Sequence, residues 1–289
     1  MIDYRLLQAM AAVLEQGGFE RAATALHLTQ SAVSQRIKQL EQQLGQPVLI
    51  RSIPPKATAL GQRLHNHLQQ VRQLEAGLEL SANPDDLIVR ITVNADSLDT
   101  WLPAALVLPQ YPMLRFEVSV EDQAVGLRRM KQGEVMACLC ASDEAVNGGG
   151  VVALGVMRYR ALASPEFIQR FNLQQSSPDR LKAAPCLVYS RDDRLQHQFL
   201  SEVAGTEPVY THHLPSSEGF IRAACAGLGY GMMPELQVKQ ELEDGKLTDL
   251  VPGYSLDVPL YWHYWQMESP VMEALRRSVN EAAKQALYT

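Results

Sequence analysis

Thr29, Gln30, Ser31, Ser34, Gln35, Arg36 and Lys38 gather hydroxyls, amides and cations into one short stretch near the start of the chain. Such groups recognise base edges and phosphates by hydrogen bonding. Their spacing separates them from an apolar stripe. Val33, Ile37, Leu40 and Leu44 recur at intervals of four, three and four residues, so a helix places them on one side. Ser31, Gln35, Lys38 and Gln42 fall opposite, with Ser34 and Gln39 at the margins. The one carboxylate, Glu41, and the cation Arg36 lie on the flanks. Thr29 is placed to cap the first turn, and Gly45 sits where a left-handed C-cap is wanted. The spacing predicts a helix for the major groove of DNA. A surface helix of a bundle is the competing reading, but its exposed face would carry more glutamate.

A second group of residues is acidic. Asp96, Asp99, Glu121, Asp122, Asp192, Asp193 and Glu218 all fall at the ends of expected strands or the starts of expected helices. An α/β fold places ligands there. Ser97 and Thr100, in a segment that leaves a strand and opens a helix, carry hydroxyls able to hold an amino acid's α-carboxylate. Each acid alone is explained by a helix dipole. As a set they favour a cationic ligand.

Other candidates fail on order or geometry. Gly227 to Gly231, GLGYG, follows a helix and precedes a strand, the reverse of a dinucleotide loop. His212 and His213 point to opposite faces of a strand, and His65 and His67 diverge on a helix. Cys138, Cys140, Cys186 and Cys225 lack zinc-site spacing and read as buried thiols in a reducing compartment. No nucleophile or metalloprotease motif occurs. The expectation is a protein that is not an enzyme, with no catalytic residue, metal or cofactor.

The elements that must position these groups follow from the rest of the 289 residues. Helices are expected over 4–16 and 19–26, ahead of the recognition helix. Residues 48–50 form a short strand. Pro54-Pro55 turn the chain into a wing, from which Arg51 and Lys56 reach phosphates. A helix over 58–80 repeats Leu60, Leu64, Leu68, Val71, Leu74 and Leu78 at nearly 3.5 residues, a pairing seam for a second copy. Residues 81–86 read as a linker. Strands and helices then alternate twice, which predicts two lobes of parallel sheet with a cleft between them. Helices are expected over 101–108 and 234–243, and two strand pieces around Met157-Arg158. A late strand over 260–265 should cross back, letting a helix over 270–287 rejoin the first lobe.

Net charge is −6. It divides unevenly: residues 1–80 hold eight Lys and Arg against six Asp and Glu, and residues 81–289 eighteen against twenty-six. Contact with nucleic acid therefore belongs to the front of the chain. No apolar run reaches membrane-spanning length, and the first residues do not read as a signal peptide. A cytoplasmic protein is expected.

The first sixty residues resemble the LysR-type transcriptional regulators. Ala22-Ala23, Leu26, Thr29 to Ser34, Ile37, Leu40-Glu41, Leu44-Gly45, Arg51, Thr58 and Gly61 carry the likeness. Val48-Leu49, where the family usually has Leu-Phe, and Gly18, in place of a small polar cap, depart from it. The resemblance implies an all-α winged helix-turn-helix over 1–57 and a linker helix over 58–82. It also implies a two-lobed effector domain over 87–289, akin to periplasmic solute-binding proteins. In that division lobe I is 87–162 with 266–289, and lobe II is 163–265. Implied partners are promoter DNA, RNA polymerase and further copies of the chain, as homodimer and homotetramer. VNADSLDTWLPA, VEDQ, SRDDRLQHQFL, SSEGFI and LYWH resemble a branch that responds to arginine and lysine and controls basic amino-acid export and lysine handling. On that likeness the effector is L-arginine or L-lysine. Glu121 or Asp122 would take its α-ammonium, and Asp192 or Glu218 its distal cation. The alternative is an architectural or replication-blocking DNA protein without effector control.

Overall fold

The computed structural model describes residues 3–77, 88–121, 123–175 and 178–289. Asp122, Leu78 and the expected linker over 81–86 lie outside the described residues.

Three helices open the chain: α1 (Tyr4–Gln16), α2 (Phe19–Ala25) and α3 (Gln30–Leu44). The Asp3 side chain accepts from the Arg5 N–H to start α1, and Gly17 ends it at φ 66°. Leu7, Met10 and Val13 of α1 are fully buried, as are Ala22 of α2 and Val33 and Leu40 of α3. The small side chain of Ala22 lets α2 lie close against its neighbours. Strands β1 (Leu49–Ile50) and β2 (Lys56–Ala57) pair antiparallel, Leu49 opposite Ala57, and form the wing. Helix α4 (Ala59–Gly77) follows. The Thr58 hydroxyl donates to the Pro47 carbonyl at 2.9 Å and accepts from the Gly61 N–H at 3.0 Å. A Cβ on Gly61 would stand 1.9 Å from the Val48 carbonyl oxygen, so only glycine lets α4 approach the wing here.

Half of the expected pairing seam is used within the chain. Leu64 and Leu68 of α4 are buried in the same core as α1 and α3, and Leu60 packs against it. Glu15 of α1 fastens the helix further, accepting from Gln69 at 2.7 Å and Arg72 at 3.1 Å and lying 3.2 Å from His65. Burial pushes the Glu15 carboxyl up, but hydrogen bonds and charge from His65 and Arg72 outweigh it, leaving the pKa below its ordinary value.

The second part begins with β3 (Ile88–Val93), two short helices α5 (Ala95–Leu98) and α6 (Leu102–Ala105), β4 (Arg115–Val120), α7 (Gln123–Lys131) and β5 (Ala137–Cys140). Strand β6 (Gly149–Ala163) leads to α8 (Pro165–Arg170), α9 (Pro178–Ala183), β7 (Cys186–Val188), α10 (Leu195–Ala204) and β8 (Thr211–His213). Then come α11 (Ser217–Cys225), β9 (Gly231–Pro234), α12 (Lys239–Glu243), β10 (Thr248–Asp249), β11 (Leu256–Trp265) and α13 (Pro270–Ala286).

The main sheet runs β10-β6-β11-β5-β3-β4, with β9 also paired to β6. Its β3, β4 and β5 are parallel, as the strand–helix alternation requires, but β11 and β6 run antiparallel to their neighbours. The sheet is therefore mixed, where an all-parallel one is expected from alternation alone. Residues 149–163 form one long strand and not two pieces. Its irregularity is a bulge: Leu260 faces Gly155 and Tyr261 faces Ala153, with Gly155 at φ 127°. Strands β6 and β11 cross between the lobes, and β7 pairs parallel with β8 in the second. Helix α13 returns to the first lobe, where the Ser278 hydroxyl donates to the Ala105 carbonyl at 2.8 Å.

Two helices are shorter than expected. The 101–108 stretch is helical only as α6, and 234–243 only as α12, because Pro234 still belongs to β9. Cys138, Cys140 and Cys186 are buried free thiols and Cys225 is half-buried.

Candidate functional site: a DNA-facing helix and an acidic interlobe cavity

The Thr29 hydroxyl accepts from the Ala32 N–H at 3.2 Å, and Gly45 closes α3 at φ 71°. Val33, Ile37 and Leu40 face the core, which fixes the rotation of the helix. Gln30, Ser31, Ser34, Gln35 and Lys38 are consequently exposed together, while Arg36 is half-buried on the flank. Arg51 and Lys56 are exposed on the wing beside them. The Glu41 carboxylate is turned away from this face and accepts from the Val48 N–H at 2.9 Å. The surface presents amides, hydroxyls and cations on a rigid scaffold, the chemistry that reads a duplex.

A cavity of about 580 Å³ lies between the two lobes. Its wall includes Asn94 and Asp96 after β3, Glu121 after β4, and Tyr159 from β6. The other lobe contributes Tyr189, Ser190, Asp192, Asp193, Gln196 and Ser217. Val258, Leu260, Met232 and Phe220 supply apolar surface. Four lining residues are carboxylates, and among the described lining residues none is Lys, Arg or His.

Asp96 is the centre of this geometry. Its carboxylate accepts from the Tyr159 hydroxyl at 2.6 Å and, across the lobes, from the Ser217 hydroxyl at 3.1 Å. Burial raises its pKa, the two hydrogen bonds oppose that, and the like charges of Asp193 and Asp99 add to the rise. The Tyr159 hydroxyl is pushed well up by burial and then by Asp96 itself. Asp193 is otherwise engaged, accepting from the Tyr189 and Leu195 N–H groups at 3.0 Å each. Glu121 meets Arg129 at 2.8 Å. Asp192 lines the cavity with its carboxylate unpaired among the described residues. The Asn94 Oδ1 and Gln196 Oε1 atoms are buried acceptors with no partner among the described residues.

The structure brings together only some of the expected ligand residues. Glu121 and Asp192 reach the cavity. Ser97 is buried and does not line it. The Thr100 hydroxyl turns back to donate to the Asp96 carbonyl at 2.5 Å, because α5 ends after one turn. Glu218 is exposed and pairs with Arg222 one turn on, at 2.7 Å, since α11 begins with Ser217 and not Glu218 facing inward. Sequence reasoning did not single out Tyr159, Tyr189, Gln196 or Ser217. Tyr159 and Ser217 are far from Asp96 in sequence, so no local spacing marks them.

A winged helix-turn-helix joined to a two-lobed ligand-binding domain defines a ligand-responsive DNA-binding protein. The chain matches "Bacterial regulatory helix-turn-helix protein, lysR family" over residues 4–62 and "LysR substrate binding domain" over residues 85–284. It belongs to the LysR family of bacterial transcriptional regulators. Among relatives, it is 52% identical over 274 residues to the HTH-type transcriptional regulator ArgP of Pseudomonas fluorescens Pf-5, covering 92% of this chain and 91% of that one. The crystal structure of ArgP from Mycobacterium tuberculosis is similar at TM-score 0.86 and 38% identity, over 100% of this chain and 99% of that one. Full-length LysG from Corynebacterium glutamicum, solved with bound effector Arg, is similar at TM-score 0.76 and 31% identity, over 100% of both chains.

Proposed function

We propose that this chain is a transcriptional regulator whose promoter activity is set by a basic amino acid, L-arginine or L-lysine, and that it controls genes for basic amino-acid export or lysine metabolism. One observation carries the choice of ligand: the interlobe cavity is lined by four carboxylates and, among its described residues, by no cation. An anionic or aromatic-acid effector would find no counter-charge there, whereas a guanidinium or ammonium offsets the cost of the buried Asp96 charge. The arginine seen in LysG supports the same class.

In this reading Asp96, held by Tyr159 and Ser217, takes one cationic group of the ligand. Asp192 or Glu121 takes the other. The hydroxyls of Tyr189 and Ser190 and the amide of Gln237, all on the cavity wall, replace Ser97 and Thr100 as donors to the α-carboxylate. Thr29, Gln30, Ser31, Ser34, Gln35, Arg36 and Lys38 face DNA, and Arg51 and Lys56 hold phosphates from the wing. The protein works in the cytoplasm on promoter DNA with RNA polymerase, as a dimer that assembles into a tetramer, and catalyses no reaction. Closure of the lobes on the ligand re-angles the paired winged domains by differential binding to two states.

Calorimetry on the purified full chain tests the ligand class. L-arginine or L-lysine should bind more tightly than L-glutamate or benzoate, and the reverse order would sink the assignment.

A further inference from the structure

The segment that follows α13 pairs edge to edge with β6 at Val156. Tyr288 pairs through its backbone with Val156 of β6, its carbonyl accepting from the Val156 N–H at 2.8 Å and its N–H donating to the Val156 carbonyl at 3.0 Å. This is the bulged part of β6, where a Cβ on Gly155 would stand 2.7 Å from the Tyr288 carbonyl oxygen. The Tyr288 hydroxyl donates to Glu235 Oε2 at 2.8 Å. Its ring lies 4.3 Å beneath the Arg158 guanidinium, which itself grips Asp257 of β11 with two hydrogen bonds of 2.8 Å.

Glu235 follows β9, in the second lobe, and its N–H donates to the Arg158 carbonyl at 2.9 Å. Tyr288 follows α13, which is fastened to the first lobe at Ala105. The contact therefore joins the two lobes. Side chains alternate along a strand. Tyr159 points to the cavity and to Asp96, so Arg158 and Arg160 point to the opposite face. The second arginine also meets Glu235, at 3.4 Å.

We propose that Tyr288 is a positioning residue for the effector response: its contact with Glu235 straps the lobes together behind the crossing strands and restrains their closure on the ligand. The inference rests on the reading of the cavity as an effector site. With the rotation axis running through β6 and β11, lobes that approach on the cavity side must part on the opposite side. Closure then stretches the Tyr288–Glu235 contact. A ligand that binds the closed form works against it, and removing the strap shifts the population toward that form.

Two measurements decide it. Calorimetry with L-arginine compares the full chain with Tyr288→Phe, which keeps the ring over Arg158 and removes only the hydroxyl. Affinity should rise about three- to ten-fold, the worth of one partly exposed hydrogen bond to a charged acceptor. Glu235→Ala should do the same, and the double variant should gain no more than the larger single one. Unchanged or weaker binding in Tyr288→Phe overturns the proposal. Failure of the unaltered chain to bind L-arginine would instead count against the effector reading. The second measurement is independent of any ligand. Spin labels at Gln110→Cys and Glu243→Cys, in a Cys225→Ser background diluted with unlabelled chain, report the distance between lobes. Tyr288→Phe should broaden that distribution and shift it, and an identical distribution overturns the strap whatever the effector is.

Discussion

Asp96→Asn removes one charge from the cavity and leaves its shape and hydrogen-bonding frame in place. The amide oxygen still accepts from Tyr159, and the amide nitrogen can donate to Ser217 in place of the present bond. Truncating one partner of a buried charged contact costs about 2–5 kcal/mol of binding. Asp96 already spends two lone pairs on Tyr159 and Ser217, so the lower half of that range applies. Affinity for L-arginine should fall by about 30- to 150-fold, that is about 2–3 kcal/mol. The effect on stability has the opposite sign. Burial raises the Asp96 pKa above its ordinary value. The folded chain then binds more protons than the unfolded one at pH values between the two pKa values, so stability falls as pH rises through that window. Above its raised pKa the ionised carboxylate therefore works against the empty fold, and the neutral amide relieves this. The melting temperature of the ligand-free variant should hold or rise. Binding should also depend on pH in the unaltered chain, weakening as pH drops through the raised Asp96 pKa, and the variant should lose that dependence. Calorimetry across pH and thermal melting without ligand measure both halves. A loss of affinity smaller than about threefold, a factor worth under 1 kcal/mol, would refute Asp96 as the cation's partner.

On the DNA side, Gln35→Ala should cost about 1–3 kcal/mol at the operator and little on random DNA, whereas Arg51→Ala should weaken both. A gel-shift comparison in which Gln35→Ala weakens both equally would remove the helix from its recognition role. Gly61→Ala should destabilise the winged domain by more than about 2 kcal/mol in thermal melting, since the new methyl meets the Val48 carbonyl oxygen at 1.9 Å and backbone must move. Leu68→Lys should unfold the winged domain, because that side chain is 1% exposed. Val71→Lys, at a half-buried position, should instead leave the fold intact and split the proposed dimer, halving the mass seen in light scattering; an unchanged mass would count against that pairing.

Much of this was legible because it is local. The cap at Thr29, the apolar stripe from Val33 to Leu40 and the C-cap at Gly45 lie within one helix, and 3.6-residue periodicity alone orients it. Helix α1 falls on the expected residues for the same reason. Features that depend on distant partners were harder to read. Periodicity could not show that residues 149–163 stay one strand, since the bulge at Gly155 is absorbed by pairing with β11, about a hundred positions later. Carboxylates at strand ends marked the cavity, yet which of them point inward depends on helix phase. Helix α11 begins at Ser217, so Ser217 reaches Asp96 and Glu218 faces solvent. On the one-turn helix α5, Asp96 lines the cavity and its neighbour Ser97 is buried without lining it. A shift of one residue on a short helix exchanges a cavity-lining position for a core or surface one.

The leucine seam of α4 shows why a period by itself does not name a partner. Leu60, Leu64 and Leu68 recur every four residues, and the fold uses them against α1 and α3. The same helix is tied at one end by Thr58 and Gly61 to the wing and along its length by Glu15 to α1. Its first half is thus part of the DNA-binding unit, rigid with respect to α3. The Asn66 amide, on a different face, donates to the Gln132 carbonyl beyond α7 at 2.9 Å, so this rigid unit also touches the effector domain. In the proposed dimer the early turns are already used, so the second copy pairs through the later residues of the helix, from Val71 onward. In that proposed dimer successive turns have separate tasks: the early turns fix the recognition helix, and the later ones set the distance between two of them. Any rearrangement of the effector lobes that displaces Gln132 acts on a helix already joined to both.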